Sequence, residues 1–203
     1  VMSKVDCKVV LLGLHSVGKT CLAERYVNRQ FHTDEHAKRA TVGAAFQAKK
    51  TVVDGETVTL GIWDTAGAER YESMSRIYYR SAKAALVCYD LTVAESWNKV
   101  RMWVDDLREQ EPQCVIYIVG TKVDLLAKGA PRATDYNMAR QYAAEKGAHY
   151  HETSSATGQG VDELFFEVAN TFLHGDAATA DPATVHLRAQ QAAGGGGGGG
   201  AAD

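Results

Sequence analysis

The sequence predicts an α/β fold in which six strands form a mostly parallel sheet, with one antiparallel strand at an edge and helices on both faces. Two patterns predict it. After residue 84, near-continuous apolar runs alternate with segments of helical period, which is typical of parallel strands covered on both faces. Before that point, Asp54-Gly55 separates two strand-like segments, which favours an antiparallel hairpin. The chain has 203 residues, 45% of them hydrophobic, so a single domain can bury a large core.

The predicted elements follow one another in a regular order. The first half of the chain contains a strand, a helix, the two hairpin strands and a polar helix: 5–12, 20–27, 41–53, 56–63 and a segment ending near Arg80. The second half alternates strands with helices, the strands being 84–90, 115–120 and 148–152. Apolar stripes mark its helices: Trp97, Val100, Val104 and Leu107, then Met138 and Tyr142, then Val161, Leu164, Phe165, Val168 and Phe172.

Residues 4–174 are predicted to form this one domain, followed by a tail over 175–203. The tail is rich in Ala and Gly and contains seven consecutive glycines at 194–200, so we expect it to be disordered. A net charge of −3 disfavours a nucleic-acid partner. No apolar run approaches the roughly 18 residues of a membrane span. The N-terminus lacks a signal-peptide core, so we expect a cytoplasmic protein.

The four cysteines are Cys7, Cys21, Cys88 and Cys114, and none of them has C-x-x-C spacing. Free thiols in a reducing compartment are therefore expected.

The stretch Gly13-Leu14-His15-Ser16-Val17-Gly18-Lys19-Thr20 fits G-x-x-x-x-G-K-[ST], the pattern of a phosphate-binding loop, and we use that name for residues 13–20. Glycines let the backbone turn tightly, so that several N–H groups meet one anion. Lys19 supplies a positive charge for the terminal phosphates, and the Thr20 hydroxyl can bind Mg²⁺. The predicted strand before the loop and helix after it provide the structural context that this motif requires.

Further polar groups follow the predicted strands, where a parallel sheet binds ligands at its carboxyl edge. Asp64 follows the second hairpin strand and can hold Mg²⁺ directly or through water. Thr121-Lys122-Val123-Asp124 follows the strand at 115–120, and an Asp there can accept two hydrogen bonds from a guanine edge. The segment 152–156 follows the last strand and can offer backbone N–H groups to the base.

Together and in this order, these motifs resemble those of the Ras superfamily of small GTPases, from about Lys4 to Leu173. Within that superfamily the Rab branch is the most similar. The segments that carry this resemblance are 42–46, 62–67, 70–75, 78–82 and 86–92. The chain resembles atypical Rabs, which have Thr-Lys-x-Asp in place of Asn-Lys-x-Asp and no glutamine after Asp-Thr-Ala-Gly.

The resemblance implies a P-loop small G domain that binds GTP/GDP with Mg²⁺. Lys19, Thr41 and Gly67 would be catalytic, with Ala68 at the usual glutamine position. Thr20, Thr41 and Asp64 would hold the metal. The nucleotide-binding residues would be Gly13, His15, Ser16, Val17, Gly18, Lys19, Thr20, Cys21, Phe31, Thr41, Gly67, Thr121, Lys122, Asp124, Ser154, Ser155 and Ala156.

Each implied role has a plainer structural alternative. Thr41 can simply begin a strand, and Gly67 can serve only a turn. Phe31 would stack on the guanine, although packing within the protein is an alternative. Phe46, Trp63 and Tyr78 match the aromatic triad through which Rabs contact effectors, although aromatic residues are usually core.

Three departures from the family pattern concern the chemistry. Ala68 has no group that can orient the attacking water, so intrinsic hydrolysis is expected to be very slow. His15 and Ser16 replace small residues, and His15 either crowds the γ-phosphate or faces solvent. Thr121 replaces an Asn that braces the base and the phosphate-binding loop, so affinity is expected to fall by about 1 kcal/mol per lost hydrogen bond.

The resemblance implies a guanine-nucleotide switch of the Rab type, which recruits effectors in vesicle and membrane trafficking and responds to an exchange factor and an activating protein. GTP–Mg²⁺ would order switch I, about 31–43, and switch II, about 67–75. No cysteine follows Cys114, so either the C-terminus is incomplete or the prenyl anchor is absent. If the full-length C-terminus is prenylated, the protein would lie on the cytosolic face of endomembranes.

The sequence is also compatible with two other functions. The departures at His15, Ala68 and Thr121 favour a Rab-like binding scaffold that no longer cycles. A P-loop enzyme that acts on another nucleotide would require adenine to be preferred over guanine despite Asp124.

Overall fold

The computed structural model describes residues 4–31, 43–65 and 77–175. These residues form one six-stranded sheet in the order β2-β3-β1-β4-β5-β6. Its strands are β1 Cys7–Leu12, β2 Ala44–Val53, β3 Glu56–Thr65, β4 Ala84–Asp90, β5 Val115–Thr121 and β6 His149–Glu152. β2 pairs with β3 in antiparallel fashion, and the other strand pairs are parallel. The predicted fold class, with its single antiparallel edge strand, is therefore confirmed.

Helices cover both faces of the sheet. They are α1 Lys19–Asn28, α2 Ala94–Gln110, α3 Val123–Ala127, α4 Tyr136–Glu145 and α5 Val161–His174. Buried side chains of α1 and α5 pack with one face of the sheet, and those of α2 and α4 pack with the other. Among the described residues, no helix is long and apolar enough to cross a membrane.

The hairpin follows directly from its sequence. Asp54 and Gly55 both have positive φ, 49° and 86°, which two-residue hairpin turns require and which Asp and Gly tolerate. Along β3, Val58, Leu60 and Ile62 are buried on one face, as their alternation predicts. Trp63 has the opposite parity, is only half-buried, and packs against the core on the other face.

Some details differ from the predictions. α4 lies where a helix was predicted, but its buried residues are Ala139 and Ala143, whereas Met138 is 39% exposed. These two alanines belong to the core cluster, so the buried stripe lies one residue from the predicted one. Phe172, at the end of α5, is 36% exposed rather than part of the core.

Element boundaries also shift. β3 continues two residues beyond the predicted strand, to Thr65, because it still pairs with β2 there. The short helix α3 was not predicted, since five residues are too few to show a period. All four cysteines are free, as expected, and Cys7, Cys88 and Cys114 are buried. Thr41, Gly67, Ala68, most of both predicted switches and the tail at 176–203 lie outside the described residues.

The carboxylate of Glu167, on α5, links this helix to the edge strand β6. His149 Nδ1 and His151 Nε2 lie 2.6 Å and 3.0 Å from the two carboxylate oxygens of Glu167. The Tyr117 ring of β5 stacks on His149, with ring centroids 4.6 Å apart. Burial alone would raise the pKa of Glu167, but the hydrogen bonds from the two imidazoles outweigh it and lower that pKa to about 2.

This carboxylate predicts a pH-dependent part of the stability. Because its pKa is lower in the folded chain, ionised Glu167 stabilises the fold above the unfolded pKa, by at most about 3 kcal/mol. That contribution disappears as the pH falls from about 4.5 towards 2. We expect the difference in free energy of unfolding between the wild type and Glu167→Gln, measured with urea, to shrink as the pH falls below about 4.5. A difference that stays constant over this range would contradict the assignment.

Candidate functional site

The phosphate-binding loop leaves β1 and packs directly on the backbone of β4. Gly13 has a φ of 134°, and a Cβ placed there would lie 2.2 Å from the carbonyl oxygen of Cys88. Only glycine permits this approach. Gly18 has a φ of 99° and lies immediately before the start of α1. The two glycines of the motif are therefore needed, the first for contact and the second for the turn into the helix.

Lys19 lies inside the curve of this loop. Its side chain is buried, and Nζ donates to the carbonyl oxygens of Gly13 and Leu14, each at 2.9 Å. Burial lowers the pKa of Lys19, and this effect is opposed by nearby Cys88 and Asp64. The loop thus holds an ammonium group at the amino end of α1, where the helix dipole also favours anions.

Thr20 and Asp64 meet beside the ammonium group. Thr20 Oγ1 donates to Asp64 Oδ2 at 2.6 Å, which joins the first turn of α1 to the carboxyl end of β3. Both groups offer oxygen, the ligand that Mg²⁺ prefers. No cluster of three or more His, Cys, Asp or Glu side chains among the described residues is suited to a metal ion. The pair therefore fits an ion that is coordinated in part by phosphate oxygens, as is usual for Mg²⁺.

Thr121 braces the loop from the end of β5. Its buried hydroxyl lies 2.6 Å from the carbonyl oxygen of Val17 and 2.9 Å from that of Tyr89. A hydroxyl has one proton, so it donates to one of these carbonyls at a time. The brace on the phosphate-binding loop is therefore present in spite of the change from Asn, with one donor hydrogen in place of two.

Lys122 makes a second contact to the loop. Its Nζ donates to the carbonyl oxygen of Ser16 at 2.8 Å and forms an ion pair with Asp90 Oδ2 at 2.7 Å. Burial alone would raise the pKa of Asp90, but hydrogen bonds from Lys122 and Thr92 outweigh it and hold that pKa below its usual value. Asp90 is thus a carboxylate, and the lysine bridges it to the loop.

Asp124 is positioned in the first turn of α3. Ser154 Oγ donates to its Oδ1 at 2.6 Å, and Lys128 Nζ lies 3.0 Å from its Oδ2. Burial alone would raise the pKa of Asp124, but these two partners lower it. The result is an oriented carboxylate, the group that can accept the two N–H donors of a guanine edge.

The segment after β6, which was predicted to offer N–H groups to the base, also holds Asp124 in position. Thr153 N–H donates to Gly120 and its carbonyl accepts from Val123 N–H, so this segment is tied to both β5 and α3. Ser154 uses its own N–H on the carbonyl of Gln159 and its hydroxyl on Asp124. Ser154 is therefore a positioning residue for Asp124 in this structure, and the N–H groups of Ser155 and Ala156 remain the predicted donors to a base.

The other predicted site residues lie around the same edge of the sheet. His15 and Ser16 are exposed, which favours the solvent-facing alternative for the imidazole. Cys21 is half-buried and Phe31 is exposed. Thr41, Gly67 and Ala68 lie outside the described residues, so their roles stay predictions.

The predicted effector triad is only partly core. Phe46 is 45% exposed, and its ring centroid lies 4.7 Å from that of Trp63 across the β2–β3 pair. Trp63 and Tyr78 are half-buried against the core. Lys8 Nζ lies 5.0 Å from the centroid of the Trp63 ring, so a cation covers part of this aromatic residue. The alternative that all three aromatic residues are ordinary core is wrong for Phe46.

One contact near the loop has no counterpart in the sequence predictions. Asp90 ends the apolar run of β4 and forms an ion pair with Lys122, which follows β5. No spacing rule links these two residues, because the contact arises from the pairing of β4 with β5. An acidic residue at the carboxyl end of a buried strand was the only available signal.

The close contact at Gly13 predicts a large loss of stability on substitution. Gly13→Ala should lower the free energy of unfolding by about 3 kcal/mol or more, because the methyl group overlaps a backbone carbonyl that cannot move independently of the sheet. Gly129→Ala is the matched control, since Gly129 also has positive φ, 91°, but open space around it. It should cost about 1–2 kcal/mol. If thermal unfolding showed the same loss of stability for Gly13→Ala and Gly129→Ala, the close contact at Gly13 would be contradicted.

Comparison with known proteins agrees with this geometry. A sequence model of the Ras family matches residues 8–174. Ras-related protein Rab-24 of Dictyostelium discoideum is 51% identical over 170 residues, which cover 84% of this chain and 82% of that protein. The Ras-like GTP-binding protein RYL2 of Yarrowia lipolytica is 40% identical over 191 residues, which cover 91% of this chain and 88% of that protein. The chain therefore belongs to the Ras superfamily of small GTPases and is of the Rab type.

Proposed function

We propose that this small GTPase is a Rab-type switch for vesicle and membrane trafficking, which binds GTP or GDP with Mg²⁺ and hydrolyses GTP slowly on its own. One observation carries the nucleotide part of this proposal. Lys19 follows β1, Asp64 lies at the carboxyl end of β3 beside Thr20, and Asp124 follows β5, so all of them lie at the carboxyl edge of one sheet. This is the edge at which open α/β sheets bind ligands.

Each part of a guanine nucleotide has a matching group in this arrangement. The Lys19 ammonium and the N–H groups at the start of α1 suit the phosphates. The Thr20 hydroxyl and the Asp64 carboxylate suit Mg²⁺, which neutralises phosphate charge during phosphoryl transfer. Asp124, held by Ser154 and Lys128, suits the N–H donors of guanine, which adenine lacks on that edge. Phe31, Ser155 and Ala156 complete the proposed base site.

The slow rate follows from Ala68. Phosphoryl transfer relies on positioning and on electrostatic stabilisation, and a methyl group neither orients water nor stabilises charge. The roles of Thr41 and Gly67 at the γ-phosphate are part of this proposal. A protein of this kind stays in its GTP form until a partner supplies the missing catalytic groups.

The trafficking role rests on family membership and on the exposed aromatic surface. Phe46, Trp63 and Tyr78 give an effector a partly exposed apolar contact next to the proposed switches. An exchange factor and an activating protein would set the nucleotide state. Placement on the cytosolic face of endomembranes would require a prenylated C-terminus.

The first experiment identifies the bound nucleotide. Purified chain is denatured, and the released nucleotide is separated by chromatography. We expect GDP or GTP at close to one per chain. Adenine nucleotide in its place would support the alternative P-loop enzyme, and empty protein that gains no nucleotide with Mg²⁺ would support the binding scaffold.

The second experiment measures hydrolysis. In single-turnover assays of the GTP-loaded chain, Ala68→Gln should accelerate hydrolysis by about tenfold or more, because the amide can orient water. Ala68→Leu is the matched control, since leucine has similar bulk but no hydrogen-bonding group, and its rate should stay at or below that of the wild type. Glutamine and leucine variants with the same rate would contradict the role given to this position.

The brace at Thr121 gives a separate prediction. Thr121→Val keeps the shape and removes the hydroxyl, so the carbonyls of Val17 and Tyr89 lose their shared donor. The expected cost is about 1 kcal/mol in nucleotide affinity, or roughly a fivefold faster release of GDP. Release of fluorescent GDP measures this effect. Thr57→Val is the control, because Thr57 lies on β3 far from this edge in register. Equal release rates for Thr121→Val and the wild type would contradict the brace.

A further inference from the structure

The turn after β4 fixes the Asp90 side chain independently of the phosphate-binding loop. Its Oδ1 accepts from the Thr92 N–H at 2.8 Å and from the Thr92 hydroxyl at 2.7 Å. Its backbone N–H donates to Ser96 Oγ at 3.0 Å, at the start of α2. The side chain is only 7% exposed. One carboxylate oxygen is therefore occupied by the turn, which directs the other oxygen towards Lys122.

Lys122 carries that constraint to the loop. Its backbone has a φ of 63°, and its Nζ lies between Asp90 Oδ2 at 2.7 Å and the Ser16 carbonyl at 2.8 Å. Ser16 itself is a non-glycine residue with a φ of 59°. A left-handed residue of this kind persists only when its surroundings hold it, because the conformation is unfavourable for any side chain with a Cβ. The carbonyl contact to Lys122 is one such restraint.

We propose that Asp90 is a positioning residue of the nucleotide site: it holds Lys122 against the Ser16 carbonyl and so keeps the phosphate-binding loop in its binding conformation. Asp90 contacts no nucleotide group in this role and acts through the lysine. The inference rests on the proposed function, since it assigns a further residue to the same site.

The negative charge of Asp90 is the property that holds the Lys122 ammonium group in this proposal. An asparagine has nearly the same shape and can still accept from Thr92 through its amide oxygen. Its NH₂ group would then face the Lys122 ammonium, so two donors would oppose each other. Asp90→Asn therefore keeps the turn and removes the restraint on the lysine. The released lysine then takes alternative rotamers, and the Ser16 carbonyl loses a fixed donor.

The test is the rate of release of fluorescent GDP in the presence of Mg²⁺. Asp90→Asn should release GDP roughly 10- to 100-fold faster than the wild type, the range expected when a hydrogen bond to a charged group is lost. Asp105→Asn is the matched control, because Asp105 forms an ion pair of the same length, 2.7 Å, with Lys146 on the exposed side of the helices. Its release rate should equal that of the wild type.

A double-mutant cycle separates positioning from general loosening. If Asp90 acts through the lysine, Asp90→Asn combined with Lys122→Met should release GDP no faster than Lys122→Met alone. If the accelerations of GDP release caused by the two single substitutions multiply in the double variant, Asp90 acts through Thr92 or Ser96 instead, and the proposal is overturned. Asp90→Glu keeps the charge and should recover part of the wild-type rate, whereas a purely steric role would not favour it over asparagine.

The outcomes also separate this inference from the proposed function. If the wild type binds no guanine nucleotide, the proposed function fails first. If the wild type binds GDP and Asp90→Asn releases it at the wild-type rate, only this inference fails. Should Asp90→Asn not fold, Thr92→Val is measured in its place, since it removes one hydrogen bond to Oδ1 and leaves the charge. It should speed release by about fivefold, and an unchanged rate would overturn the proposal.

Discussion

Two consecutive carbonyl groups of the phosphate-binding loop, those of Ser16 and Val17, accept hydrogen bonds from two consecutive residues at the end of β5, Lys122 and Thr121. The same two residues also contact the end of β4, at the Asp90 side chain and the Tyr89 carbonyl. The loop is therefore attached to two neighbouring strands of the sheet. The contacts of Thr121 are buried, whereas the contact of Lys122 with Ser16 is exposed, so these two attachments of the loop differ in their access to water.

The rest of the site depends on that fixed loop. Gly13 lets the chain lie against the β4 backbone, and Lys19 then points into the curve of the loop, held by two of its carbonyls. α1 starts directly after Gly18, which aligns its positive end with the ammonium group and brings Thr20 to Asp64. Binding of phosphate to such a preformed cradle costs little ordering entropy.

Most of the fold could be predicted from sequence, because the central strands β1, β4 and β5 are apolar runs and the Asp54-Gly55 pair favours the positive φ angles of a hairpin turn. The loop and Asp124 could be predicted from motif spacing. The contact of Asp90 with Lys122 could not be predicted. It joins the ends of the neighbouring strands β4 and β5 and leaves no pattern along the chain. The stripe of α4 was misplaced because alanines bury little area and hardly contribute to an apolar pattern, although close packing favours them.

Selectivity for the base tests this arrangement most directly, since it requires the braced loop and the oriented Asp124 together. Isothermal titration of the nucleotide-free chain with GDP and with ADP, each in the presence and absence of Mg²⁺, measures it. A guanine site predicts tight binding of GDP that weakens without Mg²⁺, with ADP weaker by roughly a thousandfold or more because a site built for hydrogen bonds rejects a base that cannot make them. Equal affinities for the two nucleotides, or no binding of GDP, would contradict a guanine-nucleotide switch.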